Sequence, residues 1–127
     1  MIEDFCGELN KYLQVNYSYK RPPAYANGNS TIDARRSKFD LYFRFKPENE
    51  NKLVIARMGF KEQKKGHGTR LLKFISAISK KYEIKYISIE SVNKNSFEFG
   101  KKIGFSDLGN GNMKITSEDL IFNLKNK

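Results

Sequence analysis

The segment from Lys52 to Val92 changes its hydrophobic period twice, and this change restricts the fold more than any other feature. Residues 52–60 read KLVIARMGF, a mostly apolar run that is typical of a strand. Between Thr69 and Tyr82 the apolar residues recur at helical spacing, and residues 85–92 return to the alternation of a strand. A strand, a helix and a strand in this order predict a parallel pair with a right-handed crossover.

The residues before this unit predict a helix and an antiparallel hairpin. Apolar residues at spacings of three and four predict a helix over residues 2–15. Phe39 to Lys46 alternate between apolar and polar, so they predict a strand that pairs with residues 52–60. Between them, two prolines and an Asn-Gly-Asn sequence predict a loop over residues 17–37, with a short strand at Thr31–Arg35.

The residues after the central unit predict one more helix and two strands. Asn93–Ile103 has apolar residues on one face and is followed by Gly104, a residue type that ends helices. We expect the strands near Met113–Ile115 and Leu120–Leu124, around the turn at Gly109–Gly111. The expected fold class is α/β.

Composition indicates one folded domain that covers residues 1–127. Apolar residues make up 39% and aromatic residues 13% of the chain, too many for a disordered protein. The start is acidic and no apolar run approaches about 18 residues, so we expect a cytoplasmic protein with no membrane partner. The single cysteine, Cys6, and the single histidine exclude an internal disulfide and a metal-binding set. The net charge of +10 favours polyanionic or phosphorylated partners.

A glycine-containing stretch, Gln63-Lys64-Lys65-Gly66-His67-Gly68, lies between the first strand of the unit and its helix. The free N–H groups of a first helical turn, together with the positive end of the helix dipole, can hold an anion at such a place. Glycines let a phosphate approach the backbone, and the two lysines add positive charge. The alternative is a turn that only caps a helix, because the pattern matches neither the P-loop nor the dinucleotide-binding fingerprint.

A second motif covers residues 93–105, and its spaced positions are Asn93, Ser96, Phe99, Lys102, Gly104 and Phe105. Together with the Gln-x-x-Gly-x-Gly stretch, this motif resembles the motifs of the GCN5-related N-acetyltransferase (GNAT) family. The resemblance covers about two-fifths of the chain, residues 53–105. The family motif has Ala where this chain has Ser96. The resemblance implies a GNAT-like α/β fold, with a mixed, mostly antiparallel sheet, a splayed central parallel strand pair and flanking helices.

The resemblance also implies acetyl-CoA as the cofactor. In this fold the strand before the loop offers unpaired amides to the pantetheine arm, here at Met58–Phe60, and the Met58 N–H can stabilise the oxyanion of the reaction. For Met58 only the backbone is needed, so its side chain can also be core. The residues implied to bind the cofactor are Met58, Phe60, Gln63, Lys64, Lys65, Gly66, His67, Gly68, Thr69, Asn93, Ser96, Phe99 and Lys102.

The chain departs from the family at Gly100, where members usually carry a Tyr that protonates the leaving thiolate. Two explanations stay open: the proton comes from another group or from water, or the fold has lost its chemistry. For the base that deprotonates the amine, Glu90 is the first candidate and Glu62 the second, and either is alternatively a solvated or ion-paired surface carboxylate. His67 falls at the variable place between the glycines, so we expect it to pack or face solvent rather than act as the base.

The acceptor is implied to contact the N-terminal segment and the hairpin, here residues 17–44. This part contains Arg35-Arg36 together with Tyr19, Tyr25 and Tyr42, a mixture that can stack on bases and contact phosphates, so an acceptor carried on RNA is one interpretation. A solvated charged face is the other. Because no clear first strand is present, part of the usual acceptor wall is either missing or supplied by a second copy in a homodimer.

The expected function is acetyl transfer from acetyl-CoA to an amine acceptor that the sequence does not identify, by direct attack in a ternary complex. The alternative is a non-catalytic acetyltransferase-like module that binds nucleic acid or a protein partner through its basic surface.

Overall fold

A computed structural model describes residues 2–46, 51–90 and 93–125 of the chain. These residues form four helices and seven strands, in the order α1 (Ile2–Tyr17), β1 (Tyr25–Asn27), β2 (Thr31–Arg35), β3 (Phe39–Lys46), β4 (Lys52–Phe60), α2 (His67–Ser79), β5 (Tyr86–Ile89), α3 (Lys94–Ile103), β6 (Ser106–Asp107), β7 (Met113–Thr116) and α4 (Ser117–Leu124). Within these parts of the chain, no helix is both long and apolar enough to cross a membrane.

The strands form one sheet with the order β1-β2-β3-β4-β5-β7-β6. The pair β4–β5 is parallel, and every other neighbouring pair is antiparallel. The predicted mixed sheet with a central parallel pair is therefore confirmed. The crossover helix α2 spans His67–Ser79 and so begins and ends earlier than the predicted 69–82. Strand β5 is shorter than the predicted 85–92, and Ser91 and Val92 lie outside the described residues.

One row of apolar side chains crosses the sheet and shows which face is buried. Phe43 of β3 is opposite Ile55 of β4, and Ile89 of β5 lies beside Ile55. Met113 of β7 is opposite Ile89. All four side chains are buried, and Gly100 of α3 lies directly against Met113. Because neighbours in a row project to the same face, α3 covers the face that carries this row.

Helices α1 and α2 pack on the same face. Phe5 of α1 contacts the ring of Phe43 edge-on, with centroids 6.5 Å apart. Tyr12 of α1 stacks on Phe74 of α2 at 4.6 Å. The core therefore lies between the helices and one face of the sheet. The alternate residues of β3, such as Tyr42 and Arg44, belong to the other face and are only half-buried.

Helix α3 confirms the predicted second-motif helix. Asn93 is its N-cap, with Oδ1 accepting from the Ser96 N–H at 2.9 Å. Gly104 is its C-cap with φ 113°, a left-handed conformation that favours glycine.

The prediction of a strand at Leu120–Leu124 is wrong, because these residues belong to helix α4. The Thr116 side chain caps this helix by accepting from the Asp119 N–H at 3.1 Å, and Leu120 and Leu124, four residues apart, are both buried. The turn at Gly109–Gly111 instead connects β6 to β7.

The prediction of an unbroken loop before Thr31 is also wrong. Tyr25–Asn27 forms β1, which follows α1 and pairs antiparallel with β2 around a turn at Gly28. Three residues are too few to show a period in the sequence.

Candidate functional site

Strand β4 has one unpaired edge near its carboxyl end. Its pairing with β5 ends at Ile55↔Ile89, with a last hydrogen bond from the Glu90 N–H to the Ile55 carbonyl at 3.1 Å. On the other side β4 stays paired with β3 as far as Phe60. Residues 56–60 therefore have no strand neighbour on the β5 side among the described residues. This is the gap that a splayed parallel pair leaves.

The hydrogen-bond pattern shows which N–H groups point into the gap. The Lys61 N–H donates to the Lys38 carbonyl on the β3 side at 3.0 Å. Because successive residues of a strand present their N–H groups to alternate edges, the N–H groups of Met58 and Phe60 point away from β3. Ala56 has no partner in the β3 register, so a bulge precedes this segment. The Met58 side chain packs against the core, as its alternative interpretation allowed.

We call residues 61–69 the glycine loop. Gly66 has φ 79° and is the N-cap of α2, without a side-chain hydrogen bond to the helix. The first helical bond runs from the Arg70 N–H to the Gly66 carbonyl at 3.0 Å, and no backbone hydrogen bond of the described residues uses an earlier N–H of α2. The N–H groups of His67, Gly68 and Thr69 are thus free, and no acidic residue lies in this first turn. This geometry can bind an anion.

Apart from Glu62, the charged side chains of the loop are cationic. Gln63, Lys64 and Lys65 are exposed, and Lys64 adopts a left-handed φ of 60°. Arg70, which the helical pattern assigned to the outer face, folds back over the loop instead. Its Nη1 donates to the Lys65 carbonyl at 3.0 Å. Sequence reasoning missed Arg70 as part of this site.

His67 occupies the centre of a contact network at the loop. Its Nδ1 lies 2.9 Å from the hydroxyl of Tyr17 in α1 and 2.8 Å from Nη2 of Arg70. Its ring also stacks on Phe60 with centroids 5.3 Å apart, and only 14% of the side chain is exposed. Burial raises the pKa of Tyr17, so its phenol keeps its proton at neutral pH. His67 therefore packs, as expected, and Tyr17 joins the site although no local pattern indicated it.

Gly68 and Phe99 bring the two motifs together. A Cβ added at Gly68 would lie 3.1 Å from Cζ of Phe99 in α3. Ser96 is half-buried one turn earlier, and Lys102 is exposed in the last turn of the same helix. Among the predicted cofactor-binding residues, the loop, Phe60 and Phe99 therefore lie together at the carboxyl end of β4, while the Asn93 side chain serves as the cap of α3.

Gly100 is buried, and the end of the Met113 side chain occupies the place where a side chain at this position would begin. A Cβ at this position would lie 2.7 Å from Sδ and 3.2 Å from Cε of Met113. The side chain of a Tyr here would start directly against a core residue.

The two candidate bases have different surroundings. Nη1 of Arg44 contacts both carboxylate oxygens of Glu90, at 2.9 and 3.2 Å. Glu90 therefore shares the face of Arg44, opposite the helices. Glu62 is 71% exposed, and its Oε1 lies 3.7 Å from Nε2 of His67. Both carboxylates have the ion-paired or solvated surroundings that the alternative interpretation described.

Of the residues expected to contact the acceptor, Tyr25, Arg35 and Tyr42 lie on the uncovered face of the sheet. Tyr19 instead packs edge-on against the buried Phe39, with ring centroids 5.5 Å apart. Asp40 pairs with Arg35 at 3.4 Å and with Arg57 at 3.1 Å. The guanidinium of Arg57 also lies over the ring of Tyr42, 4.8 Å from its centroid. These cations are thus partly neutralised within the face. A cavity of about 320 Å³ opens between the N-terminus of α3 and the β6–β7 turn.

Solved structures share this architecture at low sequence identity. A structure of GCN5 from Tetrahymena matches with a TM-score of 0.54 and 14% identity, over 90% of this chain and 87% of that chain. A structure of the KacTA–DNA complex matches with a TM-score of 0.55 and 14% identity, over 96% and 88% of the two chains. A structure of AtaTR bound with AcCoA matches with a TM-score of 0.54 and 14% identity, over 92% and 85%.

No protein-family model and no curated protein sequence matches the chain. The structural likeness shows that the chain has the GNAT fold, as its two motifs predicted.

Proposed function

We propose that the protein is an acetyl-CoA-dependent N-acyltransferase. Two sets of free backbone N–H groups near the carboxyl end of β4 are the observation that carries the proposal. The first set consists of the free N–H groups in the first turn of α2. The second consists of the N–H groups of Met58 and Phe60, which point into the adjacent gap beside β4. A diphosphate suits the first set and an extended amide-containing arm suits the second. The match to AtaTR bound with AcCoA supports this choice of ligand.

The chain's own residues suggest how the reaction would be assisted. When bound, acetyl-CoA would supply a thioester whose carbonyl carbon an unprotonated amine can attack, with the thiolate as the leaving group. The Met58 N–H would donate to the carbonyl oxygen as this oxygen gains negative charge. Glu90 remains the first candidate to take the proton that the amine loses, and this role requires its pairing with Arg44 to loosen. Gly100 cannot supply an acid, so the thiolate would leave with a proton from water or without one.

Removing one free N–H tests the proposal. Thr69→Pro deletes the N–H of the third residue of α2, where a proline is tolerated because that N–H has no partner within the helix. The preceding residue is Gly68, which lacks the Cβ that a proline ring would contact. The matched control, Thr69→Ala, removes the hydroxyl and keeps the N–H.

Calorimetry with acetyl-CoA is the measurement, with circular dichroism to verify the fold of each variant. We expect Thr69→Ala to bind like the wild type and Thr69→Pro to bind about tenfold more weakly, because one hydrogen bond to a charged group contributes roughly 1.5 kcal/mol. Equal affinity of the two folded variants would contradict a diphosphate at this turn.

The second candidate function is a binding module without catalysis, and Gly100 is the observation that favours it. Met113 fills the space where the family's Tyr would begin, so the chain lacks that acid. The charge of +10 would then serve a nucleic acid or an acidic protein. Failure of the wild type to bind acetyl-CoA, together with salt-sensitive binding of RNA or DNA, would favour this function.

A further inference from the structure

The contacts of His67 determine where its ring can carry a proton. A guanidinium has five N–H donors and no acceptor, and Nη2 of Arg70 lies 2.8 Å from Nδ1 of His67. Nδ1 must therefore accept. The hydroxyl of Tyr17, 2.9 Å from the same nitrogen, then donates as well, so two donors share one acceptor. In a neutral imidazole with an unprotonated Nδ1, the proton is on Nε2.

We propose that His67 is a positioning residue of the glycine loop, held as the neutral Nε2–H imidazole, and that its protonation weakens diphosphate binding. The inference rests on the proposed function for the identity of the anion. It goes beyond that function by assigning a role to the residue between the two glycines.

The network connects three parts of the site through one nitrogen. Tyr17 lies at the end of α1 and Arg70 in the first turn of α2, and both contact Nδ1 of His67. Arg70 also donates to the Lys65 carbonyl, which fixes the backbone of the loop just before Gly66. His67 itself contributes one of the free N–H groups. The acceptor nitrogen of His67 thus holds Arg70 over the loop, and Arg70 holds the loop.

Protonation of Nδ1 would break this arrangement. The new N–H would face the N–H of a permanently charged guanidinium, so that two donors and two like charges meet at 2.8 Å. Arg70 would have to move away, and its hydrogen bond to the Lys65 carbonyl would be lost. The free N–H groups of the turn would no longer be held in one arrangement.

The other charged groups around the ring do not remove this conflict. Glu62 faces Nε2 at 3.7 Å and favours the cation, but it is 71% exposed and solvent screens it. Lys38, which precedes β3, donates to the Tyr17 carbonyl at 2.6 Å and adds positive charge. From β4 the ring meets the uncharged Phe60. Lys61, Lys64 and Lys65, the remaining charged residues of the loop, are cations as well.

The sign of the pH effect distinguishes this role from a direct contact. A histidine that binds a phosphate through its own charge strengthens binding as the pH falls, because the imidazolium is the form that attracts the anion. A histidine that holds the loop as an acceptor does the opposite. The direction of the change therefore decides between the two roles.

Calorimetry with dephospho-coenzyme A between pH 8 and pH 5.5 provides the test, because the diphosphate of this ligand keeps its charge throughout that range. The matched variant is His67→Asn, whose amide oxygen can replace Nδ1 as acceptor and does not titrate. We expect the wild-type affinity to fall about tenfold toward pH 5.5, as the loss of roughly one to two hydrogen bonds predicts. Because the variant keeps an acceptor and has no titrating ring, its affinity should change little between pH 8 and pH 5.5, whatever its value at pH 8.

Three results would overturn the inference: an affinity of the wild type that rises at low pH, one that stays constant, or the same fall in His67→Asn. If the wild type does not bind the ligand at any pH, the proposed function fails first. ¹⁵N NMR of the imidazole at pH 8 still tests the positioning role in that case, and the chain's single histidine makes the assignment unambiguous. A proton on Nδ1 would refute it, and a proton on Nε2 is the expected result.

Discussion

Replacing Gly100 by alanine should not stabilise the protein, unlike most replacements of a helical glycine, and the change in stability should depend on Met113. Replacing a glycine inside a helix by alanine ordinarily stabilises the protein by about 1 kcal/mol. At this position the added Cβ would lie 2.7 Å from Sδ of the fully buried Met113. Overpacking of this kind costs about 1–3 kcal/mol. Gly100→Ala should therefore lower the free energy of unfolding by about 0–2 kcal/mol.

The same substitution should change sign when the sulfur is absent. Met113→Ala alone destabilises by about 2–5 kcal/mol, because it leaves a cavity. In that background the methyl group of Gly100→Ala has room, so only the helix-propensity gain of about 1 kcal/mol remains. The coupling between the two positions should then be about 1–3 kcal/mol.

Urea unfolding followed by circular dichroism measures the four proteins of this cycle, since the chain has no tryptophan for fluorescence. The comparison requires equal urea dependence of the unfolding free energy. If Gly100→Ala stabilises both backgrounds equally, the contact with Met113 is not close and the reasoning is refuted. The absent Tyr would then need another explanation, because position 100 would have room for a side chain.

Three further outcomes follow from single groups. The Tyr12 hydroxyl is buried without a hydrogen-bond partner among the described residues, and burial raises its pKa to about 12, so Tyr12→Phe should leave stability at pH 7 unchanged or slightly higher. Because burial raises this pKa from 10.0 to about 12, the unfolded state ionises first, and the wild type loses stability as the pH rises from about 10 through about 12. Urea midpoints should therefore fall less in the variant than in the wild type between about pH 9 and 11.5. Thr116→Ala should lower the free energy of unfolding by about 1 kcal/mol through loss of the α4 cap, and an unchanged urea midpoint would contradict that cap. Glu90→Gln should reduce turnover about 10²–10⁴-fold without changing acetyl-CoA affinity, and unchanged turnover with an amine that the wild type acetylates would remove Glu90 as the base.

The elements with several turns or alternations could be predicted from the sequence. Strand β4 was predicted with its observed bounds, because nine residues suffice to show its character. Helix α4 was missed because Leu120, Phe122 and Leu124 alternate as in a strand, although Leu120 and Leu124 also fit a helix. The side chain of Phe122 is 70% exposed, which shows that the alternation was accidental. The spacing of Thr116 and Asp119 is a capping signal that would have identified the helix.

The glycine loop could be predicted, but not the contacts that hold it. Its position between a strand and a helix is a local property of the sequence. The contact between Tyr17 and His67 joins residues that are 50 positions apart, and no local period reports it. Arg70 lies on the polar side of the α2 pattern, so periodicity alone assigned it to solvent. The side-chain environment of the site therefore required the tertiary structure.

The two glycines of the loop meet different physical needs. Gly66 has φ 79°, so a side chain there is strained whether or not an anion binds. At Gly68 a Cβ would lie 3.1 Å from Cζ of Phe99, so this ring would have to shift by a few tenths of an ångström. A bulky variant of Gly68 would displace the Phe99 ring as well as obstruct a phosphate, so its loss of binding would not identify the cause. Deleting the N–H of Thr69 leaves Phe99 in place, and a loss of binding there reports on the amide itself.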